Sequence, residues 1–369
     1  MVKTVRSLTS FLILSLAILS PASDKGLDQP DTLLAHLSLR EKIGQTFFVY
    51  HSPETFLKQN HIGGVLIMQN MIDSAGSIRK ELAGIQKRAK IPLFVGIDQE
   101  GGKINRLANL HRFAKTPSGF QLASFSPERI TRYARITTDT LNALAINMNL
   151  APCVDPAFNF LGDSTFMFGR QRALGSTPDR ITMRAEAFLS GIQQAHGLCI
   201  LKHFPGYDTP HNSDLEPTLS DATEHHLEQY LTPFRALIPG TSGVMMNNII
   251  YRKIDTLPAV LSPKLVQLAR ALSSEKIIMT DDLWAVSLRT YIHPKHLIKK
   301  EYPDSLFKKI VKLAFLAGND VFLITFPQKV ALMFEAIQEE IARDPSLETQ
   351  LNASIMRILK LKRSYFMSL

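Results

Sequence analysis

Eight short apolar runs recur along this chain, at Thr46–Val49, Gly63–Met68, Pro92–Ile97, Ile146–Val154, Leu198–Leu201, Gly243–Met246, Lys276–Met279 and Val321–Ile324. Most are four to eight residues of Val, Ile, Leu, Phe and Met without polar alternation, the pattern of strands buried on both faces. Between them lie stretches of helical periodicity: Ser77–Ala89, Pro127–Leu144, Pro178–Ala195, Pro263–Leu272 and Ser305–Ala317. Several open on Ser-Pro, Thr-Pro or Asp-Ser, which start helices well. Strands covered on both faces and alternating with helices predict a (β/α)₈ TIM-like barrel, a single α/β domain. A doubly wound open sheet fits the same alternation. No low-complexity linker divides the chain, and Leu347–Met367 reads as a basic amphipathic helix packed on the outside.

The first residues read differently. Met1–Ser23 carries Lys3 and Arg6, then the apolar run Phe11–Leu19, then the small residues Pro21-Ala22-Ser23. That is the layout of a secretory signal peptide, and the run is about half the ~20 residues needed to span a bilayer. We therefore expect a signal at 1–23, a barrel over 24–369, and an exported, periplasmic or secreted protein with no stable membrane span in the mature chain. An uncleaved anchor is the alternative; no cysteine follows the run to carry a lipid. Net charge is +9, but no long Lys/Arg run with interleaved aromatics points to nucleic acid. The two cysteines, Cys153 and Cys199, sit in apolar runs and read as buried free thiols.

Catalytic groups of such barrels come from the C-terminal ends of the strands. Just past the apolar runs stand Asp98, Asp155, the pair Lys202-His203, Asn247-Asn248 and the pair Asp281-Asp282. Polar groups at five strand ends point to one shared active site. The loop KHFPGYDTPHNSDLEPTL (202–219) adds more ionisable groups than a connector needs. Glycoside hydrolysis would use a carboxylate on one face of a sugar and a proton donor on the other. Metal-assisted hydrolysis would use His203, His211, Asp208 and Asp214, a spacing that matches no tight metal motif. No phosphate-binding glycine loop occurs.

The segments EKIGQ (41–45), IGGVLIM (62–68), IDQEGGKINRL (97–107), NLAPCVD (149–155), LKHFPG (201–206), VMMNN (244–248), IIMTDDL (277–283) and AGND (317–320) carry a resemblance. In this order they resemble a family 3 glycoside hydrolase of the single-domain β-N-acetylhexosaminidase type, over nearly the whole chain after the signal. The resemblance implies a retaining glycosidase that needs no metal or cofactor. It implies Asp281 as the nucleophile, Asp98 as an acceptor for sugar hydroxyls, and Arg106, Arg172, Lys202 and His203 as donors around the ring. Adjacent carboxylates in a turn diverge, so Asp282 is read as a brace for the loop, and Glu100 as a cap on the following turn.

The proton donor departs from the family. Where it carries Asp-Ser-His, this chain has Asn212-Ser213-Asp214. Three readings stay open: Asp214 acts as a carboxylic acid/base, His211 swings into the role, or the site binds sugar with little turnover. Asn248 stands where histidine is common. Trp284, the only tryptophan, is either a platform for a sugar face or a packing residue. The expected activity is removal of terminal β-linked N-acetylglucosamine from glycan, peptidoglycan or muropeptides foremost, by a monomer. A weak glycan-binding protein on the same barrel is the alternative and a β-glucosidase the third reading.

Overall fold

The computed structural model describes residues 28–294 and 302–368; the signal-peptide expectation lies outside them. The apolar runs become eight parallel strands: β1 (Phe47–Tyr50), β2 (Gly64–Ile67), β3 (Phe94–Ile97), β4 (Met148–Asn149), β5 (Leu198–Phe204), β6 (Gly243–Met246), β7 (Ile277–Met279) and β8 (Phe322–Ile324). Around the sheet they follow the order β8-β1-β2-β3-β4-β5-β6-β7. A bridge from Met279 to Val321 brings the two ends together into a nearly closed barrel. An open doubly wound sheet would leave first and last strands apart; here β1 pairs directly with β8.

Two strands differ from expectation. The run Ile146–Val154 yields only Met148–Asn149, because Pro152 has no N–H for the ladder; pairing resumes as a bridge between Cys153 and Lys202. β5 is longer than its apolar run and includes Lys202 and His203. Lys202 and His203 thus stand on a strand rather than on the loop beyond it.

The helices form where their starts predict. Ser126, Thr177 and Ser262 each accept a backbone N–H from three residues on, and a proline follows each. Small residues inside the barrel leave room for large ones: a Cβ on Gly64 or Gly96 would stand 2.4 or 2.6 Å from the Phe48 ring. The C-terminal helix Leu347–Met367 packs Leu351, Ile355, Ile358 and Leu359 inward. It is less simply amphipathic than its composition suggests. Lys362 is fully buried, and its Nζ donates to Gln45 Oε1 at 2.8 Å and to the Gly63 carbonyl at 2.9 Å, before β1 and β2.

Asp320, the last residue of AGND, ties this helix to β7. Its carboxylate accepts from Arg357, Ser354 and Arg270 and from the Ile278 backbone N–H of β7. Both cysteines are buried free thiols, not joined in a disulfide. Among the described residues no helix is long and apolar enough to cross a membrane.

Candidate active site

The C-terminal ends of β3, β5 and β7, with the loop after β4, bring the expected residues into one polar cluster. Lys202, buried on β5, bridges two acidic groups from the DQEGG segment: Nζ lies 2.6 Å from Asp98 Oδ1 and 2.7 Å from Glu100 Oε1. Glu100 also receives both Nε and Nη2 of Arg172 at 2.8 Å. Arg106 approaches the other Asp98 oxygen at 3.9 Å. Burial alone would raise the Glu100 pKa, but Arg172 and Lys202 outweigh it and hold the carboxyl well below the usual range. Burial likewise opposes the Lys202 charge, and Asp98 and Glu100 outweigh it, so the ammonium is retained.

The sequence expectation for Glu100 is therefore corrected. It does not cap a turn; it is the hub of a buried ion-pair network in which Arg172 and Lys202 are its partners. A buried carboxylate persists only when its lone pairs are taken up by such donors. Gln99, also unassigned by sequence, shapes the segment: its Oε1 accepts the Arg106 and Leu107 N–H groups, and its Nε2 donates to Asn105. Gly101 turns at φ +102°, where a Cβ would meet the Pro117 carbonyl at 2.2 Å.

His203 is held from behind. Asp155, with no exposed surface, takes the His203 Nδ1 at 2.7 Å, the His203 N–H at 3.0 Å and the Tyr207 N–H at 2.8 Å. Arg172 donates to His203 Nε2 at 3.3 Å; a guanidinium only donates, so Nε2 accepts and Nδ1 carries the proton toward Asp155. Asp155 is a positioning residue. Its burial would raise its pKa, but the bonded His203 outweighs this and lowers it.

The two adjacent aspartates divide as sterics demand. Asp282 is saturated by the loop: Oδ1 accepts the Trp284 and Thr325 N–H groups at 3.0 and 2.9 Å, and Oδ2 the Thr325 hydroxyl at 2.5 Å. Asp281 accepts only the Asp282 N–H at 2.8 Å. Its carboxyl is pushed up to about 7, first by burial and next by the charge of Asp214. Two carboxyl groups that feel each other so titrate as a pair.

The loop after β5 sorts its own candidates. Asp214 belongs to the field around Asp281 and Asp282, and its backbone carbonyl accepts the Val286 N–H at 3.0 Å. His211 faces outward, its side chain 63% exposed and paired with Glu216 at 3.0 Å. Asp208 is buried, bonded to the Ser220 hydroxyl at 2.7 Å, and burial pushes its carboxyl up to about 6. His203, His211, Asp208 and Asp214 thus do not form the metal set the sequence allowed. Among the described residues the one group of donors close enough for an ion is Cys153, Asp155 and His203, and these are already bonded to one another.

Trp284 is resolved as a packing residue. Phe326 stacks on it at 5.1 Å, Phe307 meets it edge-on at 5.1 Å, and the Arg289 guanidinium lies 4.6 Å from its ring. Asn248 is buried with neither amide atom bonded to protein.

Residues 38–361 match the glycosyl hydrolase family 3 N terminal domain. The chain is 28% identical to a beta-hexosaminidase of Nitrosomonas eutropha over 245 residues, 62% of this chain and 68% of that protein. It is 25% identical to beta-hexosaminidase LpqI of Mycobacterium tuberculosis over 358 residues, 90% of this chain and 85% of that protein. The solved structure of M. tuberculosis LpqI superposes with a TM-score of 0.77 at 25% identity, covering 90% of this chain and 96% of that one.

Proposed function

Since the chain belongs to glycosyl hydrolase family 3, we propose that it is a retaining β-N-acetylhexosaminidase that releases terminal β-linked N-acetylglucosamine. Asp98, Arg106, Lys202, Arg172 and His203 offer interleaved acceptors and donors to the sugar hydroxyls, and Asp281 attacks the anomeric carbon. The observation that carries this reading is the division of labour at the end of β7: Asp282 is consumed by three hydrogen bonds from Trp284 and Thr325, while Asp281 accepts only the Asp282 N–H and keeps its other oxygen for the substrate. Asp214 is the acid/base. It adds to the field at Asp281, whereas His211 is paired with Glu216.

In the first step Asp281 forms the glycosyl ester as Asp214 gives its proton to the departing oxygen. In the second, Asp214 takes a proton from water, which displaces Asp281 and restores the configuration. The leader at Met1–Ser23 supports action outside the cytoplasm. Peptidoglycan fragments and chitin-type glycans both present suitable ends.

Asp281→Asn should fold and lose at least ~10³-fold in hydrolysis of an aryl N-acetyl-β-glucosaminide, as loss of an activated nucleophile requires. A fluorosugar trap of the covalent intermediate should label Asp281. Label on Asp282 would overturn the assignment. A second reading, a glycan-binding protein with little turnover, is favoured by the absence of the family histidine at Asp214; it predicts sugar binding with negligible hydrolysis of a natural disaccharide.

A further inference from the structure

We infer that Tyr207 is a positioning residue of the hydrolytic reaction: its phenol hydroxyl holds the two residues that flank Asn212, and so fixes the loop that presents Asp214 to the end of β7. The inference rests on the glycosidase reading, with Asp214 as acid/base, and deepens it. Asp214 is exposed, and among the described residues no protein group bonds its carboxylate. Its placement therefore comes from the backbone that carries it.

That backbone is folded around one oxygen. Tyr207 Oη donates to the His211 carbonyl at 2.7 Å and accepts the Ser213 N–H at 2.5 Å. A phenol has one proton to give, so its donor is committed to the loop and Tyr207 is not itself the acid. Asn212 closes the turn between them: its Oδ1 accepts the Asp214 N–H at 3.1 Å. On the far side the Asp214 carbonyl accepts the Val286 and Ser287 N–H groups at 3.0 and 3.4 Å, in the segment that follows Asp281 and Asp282. Asp214 is thus held between Tyr207 and the loop after β7. Ser213 and Tyr207 are both buried, so a Ser213 N–H released from the phenol would have no ready replacement.

Tyr207 is firmly seated. Its N–H donates to Asp155 Oδ1 at 2.8 Å, the same oxygen that takes the His203 N–H. The preceding Gly206 carbonyl accepts the Tyr251 hydroxyl at 2.5 Å. The Tyr207 ring stacks on Phe166 at 5.7 Å and meets His203 edge-on at 5.7 Å. The Phe166 N–H in turn donates to the Thr209 carbonyl at 2.7 Å, tying the loop after β4 to the same turn. His203 and the acid loop therefore share one anchor, Asp155. Burial raises the pKa of the phenol most, and the charges of Asp214 and Asp281 raise it further, which places the hydroxyl in the field of both carboxylates. A tyrosine kept for packing alone would need its ring and not its hydroxyl. Here the ring contacts Phe166 and His203, and the hydroxyl bonds only the loop that carries Asp214.

Tyr207→Phe removes the hydroxyl and keeps the ring and the N–H to Asp155. The full-length enzyme is assayed on N,N′-diacetylchitobiose, whose leaving group needs a proton, and on a dinitrophenyl N-acetyl-β-glucosaminide, whose leaving group does not. Misplacing a reacting group by ~1 Å costs up to about 10²-fold, so kcat/KM should fall at least ~10-fold on the disaccharide and less than about threefold on the aryl glycoside. Both rates are taken on one preparation, so their ratio does not depend on the fraction folded. A loop drawn back by ~1.5 Å weakens the push of Asp214 on Asp281, and the acidic limb of kcat/KM for the aryl glycoside should move down by about half a pH unit. Added to Asp214→Asn, Tyr207→Phe should cost less than about threefold more on the disaccharide, because the group it positions is gone. Equal losses on both substrates, an unmoved acidic limb, or a full further loss on top of Asp214→Asn would each make Tyr207 a packing residue and overturn the inference. Asp214→Asn with parental disaccharide activity would instead refute the acid/base assignment, and the role of Tyr207 with it. A parent inactive on both substrates would refute the glycosidase reading itself, and the inference with it.

Discussion

Replacing Asp214 by asparagine tests the central chemical claim, because it changes charge and proton capacity while leaving the backbone carbonyl that accepts the Val286 N–H. Asp281 is pushed up to about 7 by burial and then by Asp214. Carboxyl groups of a retaining pair stand roughly 5–5.5 Å apart. At an effective dielectric of about 20, unit charges at that distance repel by about 3 kcal/mol, or about 2 pH units. Activity requires Asp281 ionised, so turnover of an activated substrate falls as pH drops through about 7 in the parent. Removing the neighbouring charge lowers the Asp281 pKa, and the acidic limb of kcat/KM should move down by one to about 2 pH units. Burial, which remains, keeps it above an ordinary aspartate. The same variant should lose ~10²–10⁴-fold on a natural disaccharide, the usual worth of general acid catalysis. A dinitrophenyl glycoside, whose leaving group departs without a proton, should lose far less in glycosyl-enzyme formation, and azide should restore turnover. The assay is a pair of pH–rate profiles, one per substrate, for Asp214→Asn and for His211→Ala. An acidic limb unmoved in Asp214→Asn, with the disaccharide loss appearing in His211→Ala, refutes the reasoning.

Three further outcomes follow from buried charges and from the leader. Glu100→Gln leaves Arg172 and Lys202 buried with half their compensation and should cost roughly 3–5 kcal/mol in urea unfolding; a change under about 1 kcal/mol would mean that Asp98 suffices as counter-charge. Lys362 is lowered to about 7 by burial, so its contribution is present above the unfolded value near 10.5 and lost as pH falls through about 7. Lys362→Met should therefore destabilise more at pH 9.5 than at pH 6, and equal losses at both would contradict this. Export predicts that the protein recovered from its own cells begins near Asp24, and an intact Met1 in a soluble cytosolic fraction would exclude it.

The barrel was legible because burial on both faces forces a local signature. Runs such as Gly243–Met246 and Lys276–Met279 have the length and composition of covered strands, and the Ser-Pro and Thr-Pro starts mark the helices between them. Where the local signal is weak the reading slipped: Pro152 shortens β4, and Lys202 and His203 are polar members of a strand whose apolar run had ended. The polar cluster at the barrel mouth was legible for a related reason. Strand ends converge in a barrel whatever their separation in sequence, so Asp98, Lys202, His203 and Asp281 could be grouped by position alone.

What sequence could not supply is the partner of each buried charge. Glu100 and Arg172 are 72 residues apart and bond bidentately; Asp155 and His203 are 48 apart; Asp320 joins helices and strand from three distant segments. Each of these carboxylates looks like an ordinary polar residue along the chain, since desolvation and Coulomb energy depend on distances in space. The same holds for the loop after β5. Its composition offered both His211 and Asp214; both are exposed in the fold, and they differ in their surroundings, Asp214 contributing to the field at Asp281 and His211 pairing with Glu216. The sequence alone determines that strands and helices alternate and which residues reach the mouth of the barrel. Tertiary structure decides which of those residues lose their water, whose charge they feel, and therefore which of them can move a proton.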